Sequence, residues 1–200
     1  MPPIFVAFYT RGTLYEREAD RLRASLDKHS LPHDIRPIDS LGDWIANSRY
    51  TATHVLKMMD AYPDRPIVQL DADAVVYARP TLFDDLDCDI AAHIRRGSEM
   101  LNGTLYVAPT RAARLVIERY QTGVANHPDH TNEQKWLHEA VKELAYCVNF
   151  HGLPASYCWI PDIMADDLNG DNPVIGQMQA SRERGRCDAW ERRQKWIANV

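Results

Sequence analysis

A chain of 200 residues with 45% hydrophobic and 26% charged side chains has the size and make-up of one globular domain with a proper core. Its net charge of −5 excludes a global attraction to nucleic acid or anionic membrane, so any polyanion needs a local basic patch. No run approaches the ~20 apolar residues of a membrane span, and Met1-Pro2-Pro3-Ile4 lacks the basic and apolar regions of a signal peptide. The expectation is a cytoplasmic protein whose Cys88, Cys147, Cys158 and Cys187 stay reduced.

Residues 4–9 form a continuous apolar run and read as a first buried strand. Thr10-Arg11-Gly12 breaks it, and Thr13 with Glu16 makes a capping box for a helix whose Tyr15, Ala19, Leu22 and Leu26 share one face. The turn at residues 9–12 therefore joins a strand end to a helix start, a place suited to an anion or nucleotide as well as to a plain connection. Residues 34–38 are a shorter strand. Residues 44–61 read as largely helical, with Val55, Met58, Met59 and Tyr62 as the core face and Pro63 as the stop. Arg49, Tyr50 and Lys57 lie on this segment, either on a solvated helix face or within reach of a diphosphate, Arg by paired hydrogen bonds and Lys as a point charge.

Residues 67–70 are short, apolar and β-branched, hence a buried strand, and Asp71-Ala72-Asp73 follows before apolar residues resume. Side chains alternate along a strand, so the two carboxylates are expected to point the same way. In open α/β sheets ligands bind at that end of the strands. Two close carboxylates repel unless a cation lies between them. A hard divalent ion, Mg²⁺ or Mn²⁺, fits and brings phosphate oxygens as further ligands.

A short helix after Arg79-Pro80, an acidic surface at Asp84, Asp85, Asp87 and Asp89, and strands at 89–94 and 103–108 come next. Asn102-Gly103-Thr104 matches a glycosylation sequon and reads as a turn. A helix spans 110–121 with Ala113, Val116, Ile117 and Tyr120 buried and Gly123 as its stop. Thr131-Asn132-Glu133-Gln134 is a second capping box, for a helix to about residue 144. Residues 148–150 and 153–154 are extended, and 159–179 is loop. Residues 180–200 carry six cationic and three acidic side chains and form a basic, helical tail with Trp190 and Trp196.

The stretches Phe5 to Arg11, Leu70-Asp71-Ala72-Asp73, Leu101-Asn102-Gly103-Thr104-Leu105-Tyr106, Asn132-Glu133-Gln134 and Val174-Ile175-Gly176-Gln177-Met178-Gln179-Ala180-Ser181-Arg182 resemble, in order and spacing, a small nucleotide-sugar glycosyltransferase of the GT-A fold. The likeness runs from about residue 4 to 182. It implies an α/β domain over residues 1–179, Rossmann-like, with a mixed, mostly parallel sheet flanked by helices. It further implies a metal-dependent glycosyltransferase that moves a sugar from a nucleoside-diphosphate sugar, UDP-sugar first, to a hydroxyl. On that resemblance Tyr9, Thr10 and Arg11 hold base and ribose. Asp71 and Ala72 lie along the donor, and Asp71 and Asp73 ligate Mn²⁺ or Mg²⁺. Asn102 and Gly103 line the sugar pocket, and Glu133 faces the transferred sugar or the acceptor hydroxyl. Where the family often supplies a last histidine ligand, this chain has Gln177 or Met178, with the Gln177 carbonyl oxygen or water as replacement. Small soluble enzymes of this kind resemble those phages use on hydroxymethylated pyrimidines, so DNA, contacted by the tail, stands beside glycans as acceptor.

Three other readings compete. Asp71-Ala72-Asp73-Ala74-Val75 fits the pattern of haloacid-dehalogenase-type phosphatases, with Asp71 as nucleophile and Asp73 as general acid, but these also need a downstream Lys and a strand-end acidic pair, and Asp166-Asp167 lies in a loop-like context. His127, His130, Cys147 and Cys158 are a candidate zinc set. A nucleotide-sugar-binding module without turnover is the third, favoured by the absent histidine.

Overall fold

The computed structural model describes residues 1–128 and 132–181. Expectations for His130, Thr131, Cys187 and the basic tail from Arg182 onward lie outside the described residues.

Strand β1 (Ile4–Thr10) alternates its apolar side chains between two faces of the sheet. Ile4 and Val6 join one core, and Phe5 and Ala7 join the other. Helix α1 (Leu14–Lys28) follows, with Thr13 Oγ1 accepting from the Tyr15 N–H at its N-cap. Glu16 accepts from the Gly12 N–H at 3.1 Å, one residue before the cap, where Gly12 has φ +66°. Strand β2 (His33–Ile38) pairs parallel to β1.

The segment expected as one helix over 44–61 is two, α2 (Trp44–Ser48) and α3 (Thr51–Ala61). Asp43 caps α2 through the Ala46 N–H. Strand β3 (Ile67–Leu70) pairs parallel to β1, and β4 (Ala74–Val76) leaves the main sheet. Strand β5 (Ile90–Arg95) and strand β6 (Glu99–Val107) form an antiparallel hairpin. The sequon residues therefore lie inside β6 rather than in a turn, because Thr104 faces Leu70 across the β3–β6 pair.

Helix α4 (Arg111–Asn126) continues through Gly123, the expected stop. Trp136 of α5 (Gln134–Glu143) lies against that glycine, with its Cβ 3.0 Å from where a Gly123 Cβ would stand. Gly123 thus serves close helix approach, and its backbone remains helical. Strand β7 (Phe150–Gly152) closes the sheet beside β5. The stretch expected as loop over 159–179 contains β8 (Ile175–Gln177), paired antiparallel with β4 as a two-stranded second sheet.

The main sheet has the order β2-β1-β3-β6-β5-β7, and β6 alone runs against the other five strands. Helices α3, α4 and α5 cover one face, around the fully buried Tyr120, Ile117 and Leu137. Helix α1 and β4 cover the other. The Ser25 hydroxyl locks them together, donating to Leu22 O and accepting from the Val76 N–H at 3.1 Å. No helix among the described residues is long and apolar enough to cross a membrane.

Candidate active site

The end of β3 is where this architecture opens. The strand stops at Leu70 and Asp71-Ala72-Asp73 forms a turn, closed by the Ala74 N–H on Asp71 O at 3.0 Å. Strand alternation therefore does not set the direction of the two carboxylates; the turn does, and both line the same cavity of about 340 Å³. That volume lies at the low end of ligand sites. The cavity spans the ends of β1, β3 and β6, which are neighbours in the sheet.

The floor is built from β6 and β8. Gln177 is 1% exposed, and its Nε2 donates to Gly103 O at 2.8 Å and to Thr104 Oγ1 at 2.9 Å. With the amide fixed that way, Gln177 Oε1 is buried without a hydrogen-bond partner. A buried acceptor left unpaired is costly and calls for a donor or a cation. A Cβ built on Gly103 would lie 2.9 Å from Gln177 Cδ and 3.0 Å from Asp71 Oδ2. Only glycine leaves that space clear between the amide and the carboxylate.

Burial, then the Asp73 charge, then the Glu133 charge push the Asp71 carboxyl up to about 8. Asp73 is 6% exposed, and its Oδ2 accepts from the Ala180 N–H at 2.6 Å. Two carboxylates that line the cavity, with a buried, partnerless amide oxygen on Gln177 beside them, are an all-oxygen set that fits a hard divalent cation and that phosphate oxygens would complete. No cluster of three or more His, Cys, Asp or Glu able to hold a metal occurs among the described residues. A cation here would accordingly depend on Gln177 and on its ligand.

Glu133 precedes α5 and makes no side-chain cap, contrary to a capping-box role. Its Oε1 instead accepts from Asn102 Nδ2 at 3.1 Å, and the same nitrogen donates to Tyr120 OH at 3.3 Å. The buried Tyr120 thus orients an amide that orients a carboxylate. Burial holds the Tyr120 phenol well above its ordinary range, so it stays protonated.

Of the residues expected in the site, the cavity brings together Tyr9, Thr10, Asp71, Ala72, Asp73, Asn102, Gly103, Glu133 and Gln177. Arg11, Arg49 and Lys57 are not among its lining residues. Arg11 is exposed and pairs with Asp39 at 3.1 Å. Arg49 donates to the carbonyls of Val124 and Pro128, pinning α2 to the end of α4. Lys57 donates to Tyr50 OH at 2.9 Å. The chemistry of Arg49 and Lys57 suited a diphosphate, but their contacts lie away from the cavity.

Sequence reasoning missed Tyr15, Trp44 and Gln134, which also line the cavity. Trp44 Nε1 donates to Tyr15 OH at 3.1 Å, and burial with the Asp73 charge pushes Tyr15 up to about 12. Tyr15 shares a helical spacing with core residues, so its pattern hid it. The described lining residues include four acids, Asp71, Asp73, Glu99 and Glu133, and no Lys, Arg or His.

The competing readings fare less well. The phosphatase pattern belongs after a first strand, whereas here it follows the third, and Asp167 lies beside Arg95 rather than at a strand end. His127 stacks on Trp136 at 3.8 Å, Cys147 is exposed, and Cys158 is a buried thiol pushed by desolvation up to about 12. They form no metal cluster among the described residues.

No model of a known protein family matches the sequence, and no curated protein matches it either. Solved structures do share the fold. A glycosyltransferase involved in glycosylating the major capsid of PBCV-1 superposes with a TM-score of 0.68 at 16% identity, covering 90% of this chain and 94% of that one. The apo glycosyltransferase GlyE of Streptococcus pneumoniae TIGR4 gives 0.63 at 14% identity over 88% of this chain, which spans about half (54%) of GlyE. The galactosyltransferase LgtC, in complex with donor and acceptor sugar analogs, gives 0.54 at 9% identity over 87% of this chain and 86% of that one. The chain therefore has the GT-A fold.

Proposed function

We propose that this protein is a metal-dependent glycosyltransferase that moves a sugar from a nucleoside-diphosphate sugar, a UDP-sugar first among them, to a hydroxyl acceptor. One observation carries the reading. Within a GT-A fold, the Asp71-Ala72-Asp73 turn, the orphaned Gln177 Oε1 and the Asn102–Glu133 pair converge on a single cavity large enough for part of such a donor.

Residue roles follow from position. Tyr9 and Thr10, at the end of β1, take the base and ribose, with Tyr15 and Trp44 as an aromatic wall beside them. Asp71, Asp73 and Gln177 would hold Mn²⁺ or Mg²⁺. When bound, such an ion stabilises the negative charge of a departing nucleoside diphosphate. Asn102 and Gly103 line the sugar pocket. Glu133 is a carboxylate held by Asn102 at the cavity wall. There it takes the proton of the attacking hydroxyl in an inverting reaction, or stabilises an oxocarbenium-like centre in a retaining one.

The absence of any Lys, Arg or His among the described lining residues supports the metal dependence, because a diphosphate beside four acids needs a cation from somewhere. The test is nucleoside-diphosphate release from a panel of UDP- and GDP-sugars with Mn²⁺, and again with EDTA. Release from one donor, lost with EDTA and in Asp73→Asn, is the expected result. A metal-stabilised complex with no release from any donor would make the protein a binding module instead.

A further inference from the structure

The cavity has two unlike ends. Toward β1 it is polar and aromatic, with Tyr9, Tyr15 and Trp44. Toward the β5–β6 hairpin its wall is aliphatic, formed by Leu101, Ile160 and Ile163, with Glu99 beside them. The aspartate turn lies on the strand between β1 and β6. If the nucleotide takes the β1 end, the hairpin end receives the acceptor.

That end is rigid and anionic. Leu101 and Ile160 are 6% and 5% exposed and pack in a separate apolar cluster with Cys158, Trp159 and Met164. Trp159 Nε1 donates to Met164 O at 3.2 Å, and the Met164 N–H to Ile160 O at 2.9 Å, which fixes the loop that carries the wall. Arg95, a described cation of the hairpin, is already committed. Its Nη1 donates to Glu99 Oε2 at 3.2 Å, its Nη2 to Ile163 O at 3.1 Å, and its Nε lies 3.6 Å from Asp167 Oδ2. Asp162 and Asp166 are exposed on the same loop, and Arg96 is exposed in the hairpin turn without lining the cavity. Among the described residues here, the acids Glu99, Asp162, Asp166 and Asp167 outnumber Arg95 and Arg96.

We infer that the acceptor is an uncharged hydroxyl compound with one apolar face, as a neutral glycoside presents, seated on Leu101, Ile160 and Ile163 and screened for charge by Glu99. This rests on the transferase reading for its orientation of donor and acceptor. An apolar ring face loses little by leaving water for that wall. A phosphodiester or carboxylate would arrive next to like charges, with no Lys, Arg or His among the described lining residues to meet it.

Ligand-observed NMR on the full chain, with UDP and Mg²⁺ present, decides the matter by binding alone. The probes are neutral p-nitrophenyl hexosides, the matching uronides, and a 5-hydroxymethylpyrimidine oligonucleotide. The hexoside is expected to bind about tenfold more tightly than its uronide, the effect of one close like-charge pair. Glu99→Gln should shrink that ratio to about threefold or less, since it removes the charge and keeps the shape. Ile163→Ser should weaken the hexoside while the ratio persists. Ratios come from one preparation, so partial unfolding cancels. Equal or tighter binding of uronide or oligonucleotide, or a ratio unmoved by Glu99→Gln, overturns the inference. Donor cleavage, assayed separately, reports on the transferase reading by itself.

Discussion

Gln177 illustrates what a single side chain does in this cavity. Both of its amide hydrogens are spent on β6, so its oxygen is left buried without a hydrogen-bond partner. Gly103→Ala would drive a methyl between Gln177 Cδ and Asp71 Oδ2, both at about 3 Å. Metal-dependent UDP binding should then weaken at least about tenfold, with a stability cost of about 1–3 kcal/mol for overpacking, read by calorimetry and thermal melting. Glu133→Gln keeps a hydrogen-bonding group near Asn102 and removes the charge, so kcat should fall about 10²- to 10⁴-fold with little change in donor KM. Tyr120→Phe removes an acceptor from Asn102 and should lower kcat about three- to tenfold, the value of one modest hydrogen bond. At this scale the aspartates were legible because apolar runs on both sides argued against a surface loop. Arg49 and Lys57 were not, since composition says nothing about where a long helical side chain is aimed. Gln177 was found through its place in the resemblance, but its orphaned oxygen emerges only with the tertiary contacts to Gly103 and Thr104.

At the scale of elements, the pairing of α4 with α5 positions Glu133. Trp136 packs on Gly123 and stacks with His127, so α5 starts at a fixed height over the cavity wall. Gly123→Ala gains helix propensity of about 1 kcal/mol but places a Cβ 3.0 Å from Trp136 Cβ. The clash should win, giving a net loss of about 1–2 kcal/mol in urea unfolding. A stabilised variant would contradict the packing described. Regular periodicity made α1, α4 and the core face of α3 readable in advance, and a continuous apolar run did so for β1. The short elements were not: β8 has three residues just after the turn-forming stretch 169–173, and it is a strand only because β4 offers it a partner. The helix break near Arg49 was hidden for a similar reason, as Asp43 caps α2 while Thr51 starts α3 without a breaking proline between them.

For the whole molecule, acid stability depends on a histidine away from the metal turn. His54 is 2% exposed, with its Nδ1 2.7 Å from Gln69 Oε1, and burial pulls it from 6.5 down to about 4. The folded form therefore keeps His54 neutral while the unfolded chain takes up a proton below about 6.5. Stability from this group is complete above that pH and is lost as pH falls from about 6.5 toward 4, by up to roughly 3 kcal/mol. Thermal melting should show that slope, and His54→Phe should flatten it while lowering stability at pH 7, because Gln69 loses its partner. A slope unaltered by the substitution would place the acid sensitivity elsewhere.

The molecule as a whole is organised to bring three strand ends to one opening, and the central claim concerns what sits there. Calorimetric titration of UDP into the protein, with Mg²⁺ or Mn²⁺ and with EDTA, tests it most directly, in the native chain and in Asp73→Asn and Gln177→Leu. Binding that requires the metal, is abolished by Asp73→Asn and weakens about tenfold in Gln177→Leu, the loss of one hard oxygen ligand, is the predicted result. UDP binding of equal strength in EDTA, or untouched by Asp73→Asn, would contradict it.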